Sequence, residues 1–217
     1  SSSATVYGDT KILPIKENQL ELKPLNPYGE SKKIVEELLK NIYAKDSSWS
    51  IISLRYFNPV GAHSSGIIGE DFNFGCTNIF PVIAKVALKK VKELEIYGND
   101  YHTSDGTGVR DYIHIEDLAR GHLKAIEKIL NTKGCWCINL GTGKGFSVLE
   151  VLKTFEEIVG DKIKYRFSSR RKGDIESSYT DPSLAKLKLN WQTEKELKDM
   201  CYDAWKWHSL NPEGYND

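Results

Sequence analysis

Methionine is almost missing from this chain, with Met200 the only one in 217 residues. The amino terminus reads Ser1-Ser2-Ser3, not the start of a translated chain, so the expectation is a piece of a longer polypeptide. No apolar run approaches the roughly 18 residues of a membrane span, and no signal peptide opens the sequence. Asn-x-Ser/Thr acceptors are also absent. Cys76, Cys135, Cys137 and Cys201 form no Cys-x-x-Cys pair, and the five histidines show no His-Glu-x-x-His spacing, which argues against a metal site. Net charge is lacking as well: 30 basic residues balance 30 acidic ones. Without a long-range field neither nucleic acid nor an anionic membrane is an expected partner, and any anionic ligand must be held by a few local charges. A reducing cytoplasm is the simplest home.

What is present is enough apolar residue, 40% of the chain, to bury a sizeable core. Ile34, Val35, Leu38, Leu39 and Ile42 recur at helical spacing between Lys32 and Tyr43, predicting an amphipathic helix entered through Asn26-Pro27. The run Ile51 to Phe57 reads as a buried strand broken by Asn58-Pro59, with loop from Val60 to Gly75. Further along, the pattern predicts a helix over Pro81 to Val91, a strand over Leu94 to Tyr97 and loop over Gly98 to Gly108. A helix after Asp117 and a strand over Cys135 to Leu140 follow. Ser147 and Glu150 form a capping box opening a further helix through Val148, Leu152, Phe155 and Val159. Strands alternating with helices imply an α/β class with a mainly parallel sheet.

The sharpest chemical feature is Tyr28-Gly29-Glu30-Ser31-Lys32, a tyrosine and a lysine four apart that project from one helix face. An ammonium close to a phenol favours the phenolate, so the pair suits a general base. Tyr-x-x-x-Lys alone is also an ordinary surface helix turn. Upstream lies Ser1-Ser2-Ser3-Ala4-Thr5-Val6-Tyr7-Gly8, with Ser3 25 residues before Tyr28. This resembles the Ser…Tyr-x-x-x-Lys triad of the extended short-chain dehydrogenase/reductase family. Four further strings are similar to those of its UDP-galactose 4-epimerases: Leu54 to His63, Gly98 to Tyr101, Asp105 to His114, and Arg170 to Asp174. The resemblance runs from Ser1 to the carboxy terminus, while Gly66 to Cys76 departs from the loop common in that group.

Gly141-Thr142-Gly143-Lys144-Gly145 mimics a dinucleotide fingerprint but fails it. The third glycine would fall where Phe146 stands, and Asp161 follows a helix, not a second strand. A phosphate-loop reading fails too, because Ile138 stands where a glycine is required. The segment reads as a tight strand-to-helix turn.

The resemblance implies a partial Rossmann-type doubly wound parallel sheet, its first βαβ unit missing, with a smaller α/β substrate-binding domain. The implied division is 1–60 and 110–145 in the dinucleotide-binding domain, and 61–109 and 146–217 in the substrate domain. It implies bound NAD, a UDP-hexose substrate and inversion of carbon 4 through a transient 4-keto sugar, in a homodimer when full length. Tyr28 would be the base, Lys32 would hold the nicotinamide ribose, and Ser3 would hydrogen-bond the reacting hydroxyl. The backbone around Phe57 would touch the carboxamide. Arg110 and Arg171 would clamp the pyrophosphate, for which guanidinium forks suit better than lysine. Within Leu94-Glu95-Ile96-Tyr97, the Tyr97 ring would lie against uracil while the backbone from Glu95 through Ile96 to Tyr97 reads its edge. Asn58 and Asn78 would reach the sugar and diphosphate, Asp174 the uridine ribose, and Ser178 the 2-substituent of the hexose. A related nucleotide-sugar decarboxylase or dehydratase is the alternative reaction, although such relatives often carry an acid near Thr5. A catalytically inactive UDP-sugar-binding fragment is the alternative outside enzymes.

If a first βαβ unit is needed to flank these strands, the isolated 217-residue chain exposes unpaired backbone and apolar faces. It is then expected to bind no NAD tightly, to lack epimerase activity and to aggregate. Stoichiometric NAD in the purified chain would refute this.

Overall fold

The computed structural model describes residues 1–19, 21–71 and 78–215. Its central layer is a parallel three-stranded sheet in the order β1 (Ser2–Ser3), β2 (Ser50–Tyr56), β7 (Gly134–Leu140). Alternation along β2 and β7 sends successive side chains to opposite faces, and the two faces differ in chemistry. Leu54, Ile138 and Leu140 pack with Ala125 of helix α3 (Ile115–Asn131), with Ala185 and Leu189 of α5 (Ser183–Leu189), and with Trp191. The opposite face presents Arg55, Cys137 and Asn139, which hydrogen-bond α1 (Pro27–Lys45) and the 3-10 turn Ala4–Tyr7. Helices on both faces of a parallel sheet bear out the doubly wound expectation.

A second apolar body surrounds α2 (Ile79–Ala87), α4 (Val148–Val159) and α6 (Leu197–Leu210). Phe80 meets Phe155 edge to face at 5.1 Å, and Ile83, Leu152, Met200 and Ala204 fill the space around them. Two parallel pairs flank this core, β3 (Asn58–Val60) with β6 (Tyr112–His114), and β4 (Leu94–Tyr97) with β9 (Tyr165–Ser168). A small sheet in the order β10 (Ser177–Ser178), β5 (Val109–Arg110), β8 (Phe146–Ser147) completes the strands. No helix among the described residues is long and apolar enough to cross a membrane.

Local signals set several boundaries. The Asn26 side chain caps α1 by accepting from Gly29 N at 2.8 Å, with Pro27 as its first residue. The Ser147–Glu150 capping box is present in both directions. Three expectations need correction. The chain does not stay in loop after Phe57, because Asn58–Val60 forms β3, a short strand that joins Tyr112–His114. Helix α2 begins at Ile79 and ends at Ala87, earlier than the apolar pattern implied, because Lys89 adopts a left-handed φ of 60°. On α1 the apolar stripe does not face the sheet: Ile34, Val35 and Leu38 are about half exposed, whereas Glu36 is buried. The sheet face beneath α1 is polar, so a carboxylate finds partners there that an aliphatic side chain would not. Helix α6 is not among the expected elements, although Leu197, Met200, Cys201, Ala204 and Trp207 recur at helical spacing. The departure at Gly66 to Cys76 falls partly on residues 72–77, outside the described residues.

Candidate active site

Two adjoining clefts open where these layers meet. One, about 260 Å³, is lined by Ser3, Thr5, Phe57 and Ser178, and the other, about 300 Å³, by Asn78, Glu95, Ile96, Tyr97 and Arg171. Asn58, Arg110 and Asp174 border both, so a ligand can run from one into the other.

Ser3 ends β1 and caps the turn that follows. Its Oγ accepts from Thr5 N at 3.2 Å and from Thr5 Oγ1 at 3.0 Å. With both lone pairs engaged, its remaining capacity is to donate. Helix α1 sits directly on this turn: a Cβ at Gly29 would lie 2.9 Å from the Thr5 carbonyl oxygen, closer than such contacts occur. The glycine between Tyr28 and the rest of the helix is thus what lets the first turn of α1 rest on Thr5. Tyr28 itself is 55% exposed and is not among the residues lining either cleft. Lys32 Nζ stands 5.5 Å from the Tyr28 ring centre and donates to the Ser1 carbonyl at 3.1 Å. Phe57 is buried, with its N–H bonded to the Leu140 carbonyl.

In the second cleft, alternation along β4 points Ile96 into the core and leaves Glu95 and Tyr97 on the open side. Tyr97 Oη donates to Glu95 at 2.7 Å, Arg166 bonds it at 3.1 Å, and Ser168 donates to it as well. The Ser168 and Tyr97 hydrogen bonds hold the Glu95 carboxyl below the usual carboxylate range. Arg171 lies over the Tyr97 ring at 3.7 Å, so it is no freely solvated member of the basic run. One face of the Tyr97 ring is therefore covered by a guanidinium. Arg110 Nη1 donates to the Val109 carbonyl at 2.9 Å and to the Glu176 carbonyl at 3.4 Å. Asn78 is drawn toward Glu70 Oε1 at 2.9 Å, and the Asp174 N–H donates to the Arg171 carbonyl. Ser178 is buried against the first cleft, while Tyr179 turns toward Gly145.

Asp111 is fully buried behind the clefts, its backbone bonded to Asn58 and Ser178, and has no role among the residues picked out from the sequence. Its buried carboxylate accepts from Thr142 N at 2.8 Å, Thr142 Oγ1 at 2.6 Å, Gly143 N at 3.0 Å and Thr180 N at 3.1 Å. Its backbone receives Asn58 N and donates to the Ser178 carbonyl. Burial pushes its pKa up, opposed by those hydrogen bonds. The amides of the Gly141 to Gly145 turn thus point at a carboxylate, which explains why this glycine-rich segment cannot cradle phosphate. A buried acid between Arg110 and Tyr112 was a signal in the sequence, but its partners lie 31 and 69 residues away. Among the described residues, no group of three His, Cys, Asp or Glu could hold a metal ion.

The family model described as GDP-mannose 4,6 dehydratase matches residues 1–204. The UDP-glucose 4-epimerase of Bacillus subtilis is 51% identical over 99% of this chain, and that of Pasteurella multocida 52% over all of it. The chain spans 63% and 64% of the length of those two relatives. A crystal structure of UDP-glucose 4-epimerase from Bifidobacterium longum in complex with NAD+ and UDP superposes with a TM-score of 0.95 at 49% identity. That match covers 99% of this chain and 64% of the other.

Replacing Asp111 by alanine leaves several donors without an acceptor, an effect on the order of 3 kcal/mol. The expected outcome for Asp111→Ala in the complete protein is a lower denaturation midpoint, read from its unfolding curve. An unchanged midpoint would show that the turn holds without the carboxylate.

Proposed function

Because the chain belongs to the family of the GDP-mannose 4,6 dehydratase model, and its half-identical relatives are UDP-glucose 4-epimerases, we propose the same activity for the complete protein. It interconverts UDP-glucose and UDP-galactose with bound NAD, as an enzyme of galactose metabolism in the cytoplasm and as a homodimer. The observation that carries this reading is the continuity of the two clefts. Ser3, Phe57 and Ser178 stand at one end, Tyr97 and Arg171 at the other, and Arg110 lies between.

The residues present fit one end of NAD. Phe57 offers a buried wall beside Ser3, and Lys32 holds an ammonium close to Tyr28 on the helix seated against Thr5. NAD supplies a hydride acceptor that gives back what it takes. The side chains do the remaining work. Tyr28 takes the proton from the 4-hydroxyl, with Lys32 Nζ standing 5.5 Å from its ring centre. Ser3, whose lone pairs are held by Thr5, donates to the oxygen on carbon 4 as it becomes a ketone. Arg110 and Arg171 neutralise the two phosphates, and Arg171 leaves the Tyr97 ring as the nucleotide arrives. Asn58 and Asn78 reach the sugar and diphosphate, and Asp174 the uridine ribose. The dinucleotide-binding domain comprises 1–60 and 110–145 and the substrate domain 61–109 and 146–217, with Asn58 and Arg110 reaching across to the substrate. Thr5 also favours epimerisation over dehydration, since a hydroxyl bonded to Ser3 stands where an acid would serve the latter.

Ser178 sets substrate range in this reading. Its small side chain faces the first cleft while Tyr179 faces away, which leaves room for an N-acetyl group on carbon 2. Two measurements on the complete protein check these assignments. Tyr28→Phe is expected to retain UDP-sugar binding and to lose turnover by roughly 10²- to 10⁴-fold, the usual worth of a general base. Near-normal turnover would sink the assignment. Ser178→Tyr is expected to abolish action on UDP-N-acetylglucosamine while sparing UDP-galactose; a wild-type protein with no N-acetyl activity would end that proposal.

A further inference from the structure

Tyr28, Lys32 and Glu36 follow one another at intervals of four residues along α1, so all three lie close to one stripe of the helix. Glu36 is the buried member. Its Oε1 accepts from Arg55 Nε at 2.8 Å and from Ser2 Oγ at 2.6 Å, and its Oε2 accepts from Arg55 Nη2 at 2.5 Å. The third guanidinium nitrogen, Nη1, donates to Tyr7 Oη at 2.8 Å, and Tyr7 Oη donates to Asn139 Oδ1 at 2.6 Å. Both charged side chains are nearly inaccessible, at 2% and 1%.

This arrangement reaches both sides of the reaction centre. Ser2 is the covalent neighbour of Ser3, and Tyr7 ends the turn that Ser3 caps. The first turn of α1 is fixed by contact of Gly29 with Thr5. The Lys32 bond to the Ser1 carbonyl also holds this end of the helix, and the clamp at Glu36, about 10 Å beyond Gly29, adds a buried two-point hold on its inward side. A bidentate pair fixes angle as well as distance. Stability alone does not call for charge here, because well-packed apolar residues replace buried ion pairs at little or no loss. The same helix carries Ile34, Val35 and Leu38 on its outer side, so aliphatic residues are in ample use on α1 and the inward position is the one given a carboxylate.

We propose that Glu36 and Arg55 are positioning residues that set the roll of α1, and with it the placement of Tyr28 and Lys32 against Ser3. The proposal rests on the epimerase reading above. UDP binding does not pass through this pair, since neither residue borders the nucleotide cleft. The test is the double variant Glu36→Met with Arg55→Met in the complete protein, with UDP-binding sites counted by calorimetry and turnover expressed per site. The expected result is a fall in kcat per site of at least about five-fold, the scale of a small misplacement at a reacting centre, with UDP affinity and KM kept within about two-fold. A smaller fall, or one matched by an equal loss of UDP affinity, overturns the proposal, because a merely structural role would reduce the number of sites and not the rate at each. If the double variant yields no UDP-binding protein, Glu36→Gln is judged by the same criteria, since it keeps the volume and one acceptor while removing the charge. Failure of the epimerase reading is seen separately, as absence of activity in the unsubstituted protein.

Discussion

The contact between Arg55 and Glu36 is the constraint on which the arrangement of the sheet's polar face depends. A guanidinium and a carboxylate withdrawn from water together demand that every remaining donor and acceptor be met. The structure meets them with Ser2, Tyr7, Cys137 and Asn139, drawn from β1, the 3-10 turn and β7. The Arg55 hydrogen bonds and charge outweigh burial and hold the Glu36 carboxyl below its ordinary range, so the pair stays ionised. Burial pushes the Tyr7 phenol up to about 12, which keeps it a donor to Asn139. Asn139 in turn donates to the Ile15 carbonyl, and its N–H to Glu17, so the loop before α1 is tied along β7. Glu17 thereby meets an edge amide of β7 that would otherwise stand unpaired.

Asp111, like Glu36, is a buried carboxylate that ties separate segments together. Both are single buried acids that gather distant segments, but their chemistry differs. Glu36 is neutralised by a cation, whereas Asp111 is satisfied by two backbone amides from a glycine turn, a third from Thr180 and one hydroxyl. In a protein with no net charge, such local arrangements are the means by which anionic groups are held or turned away. Arg110 and Arg171 border the second cleft, Arg170 stacks over Tyr101 at 4.1 Å, and the Asp111 carboxylate is already taken up by backbone amides and a hydroxyl. The glycine turn behind Asp111 is thereby closed to phosphate, while the clefts in front of it remain open.

Much of this was written in short stretches of sequence. The helix cap at Asn26-Pro27, the capping box at Ser147, the strand at Ser50–Tyr56 and the spacing of Tyr28 with Lys32 each depend on residues within a turn or two of one another, so local chemistry determined them. The motifs that carried the family resemblance were equally local, and they named Ser3, Arg110, Arg171 and Ser178 as places to look. Tertiary structure alone decided what those residues face. That the inward side of α1 is a carboxylate, that Arg171 lies on Tyr97, that Ser178 and not Tyr179 borders the cleft, and that Asp111 reaches residues 142, 143 and 180 all follow from contacts between segments far apart in the chain. Their partners are chosen by packing and by the need to satisfy every buried polar group, and no periodicity in the sequence records that choice.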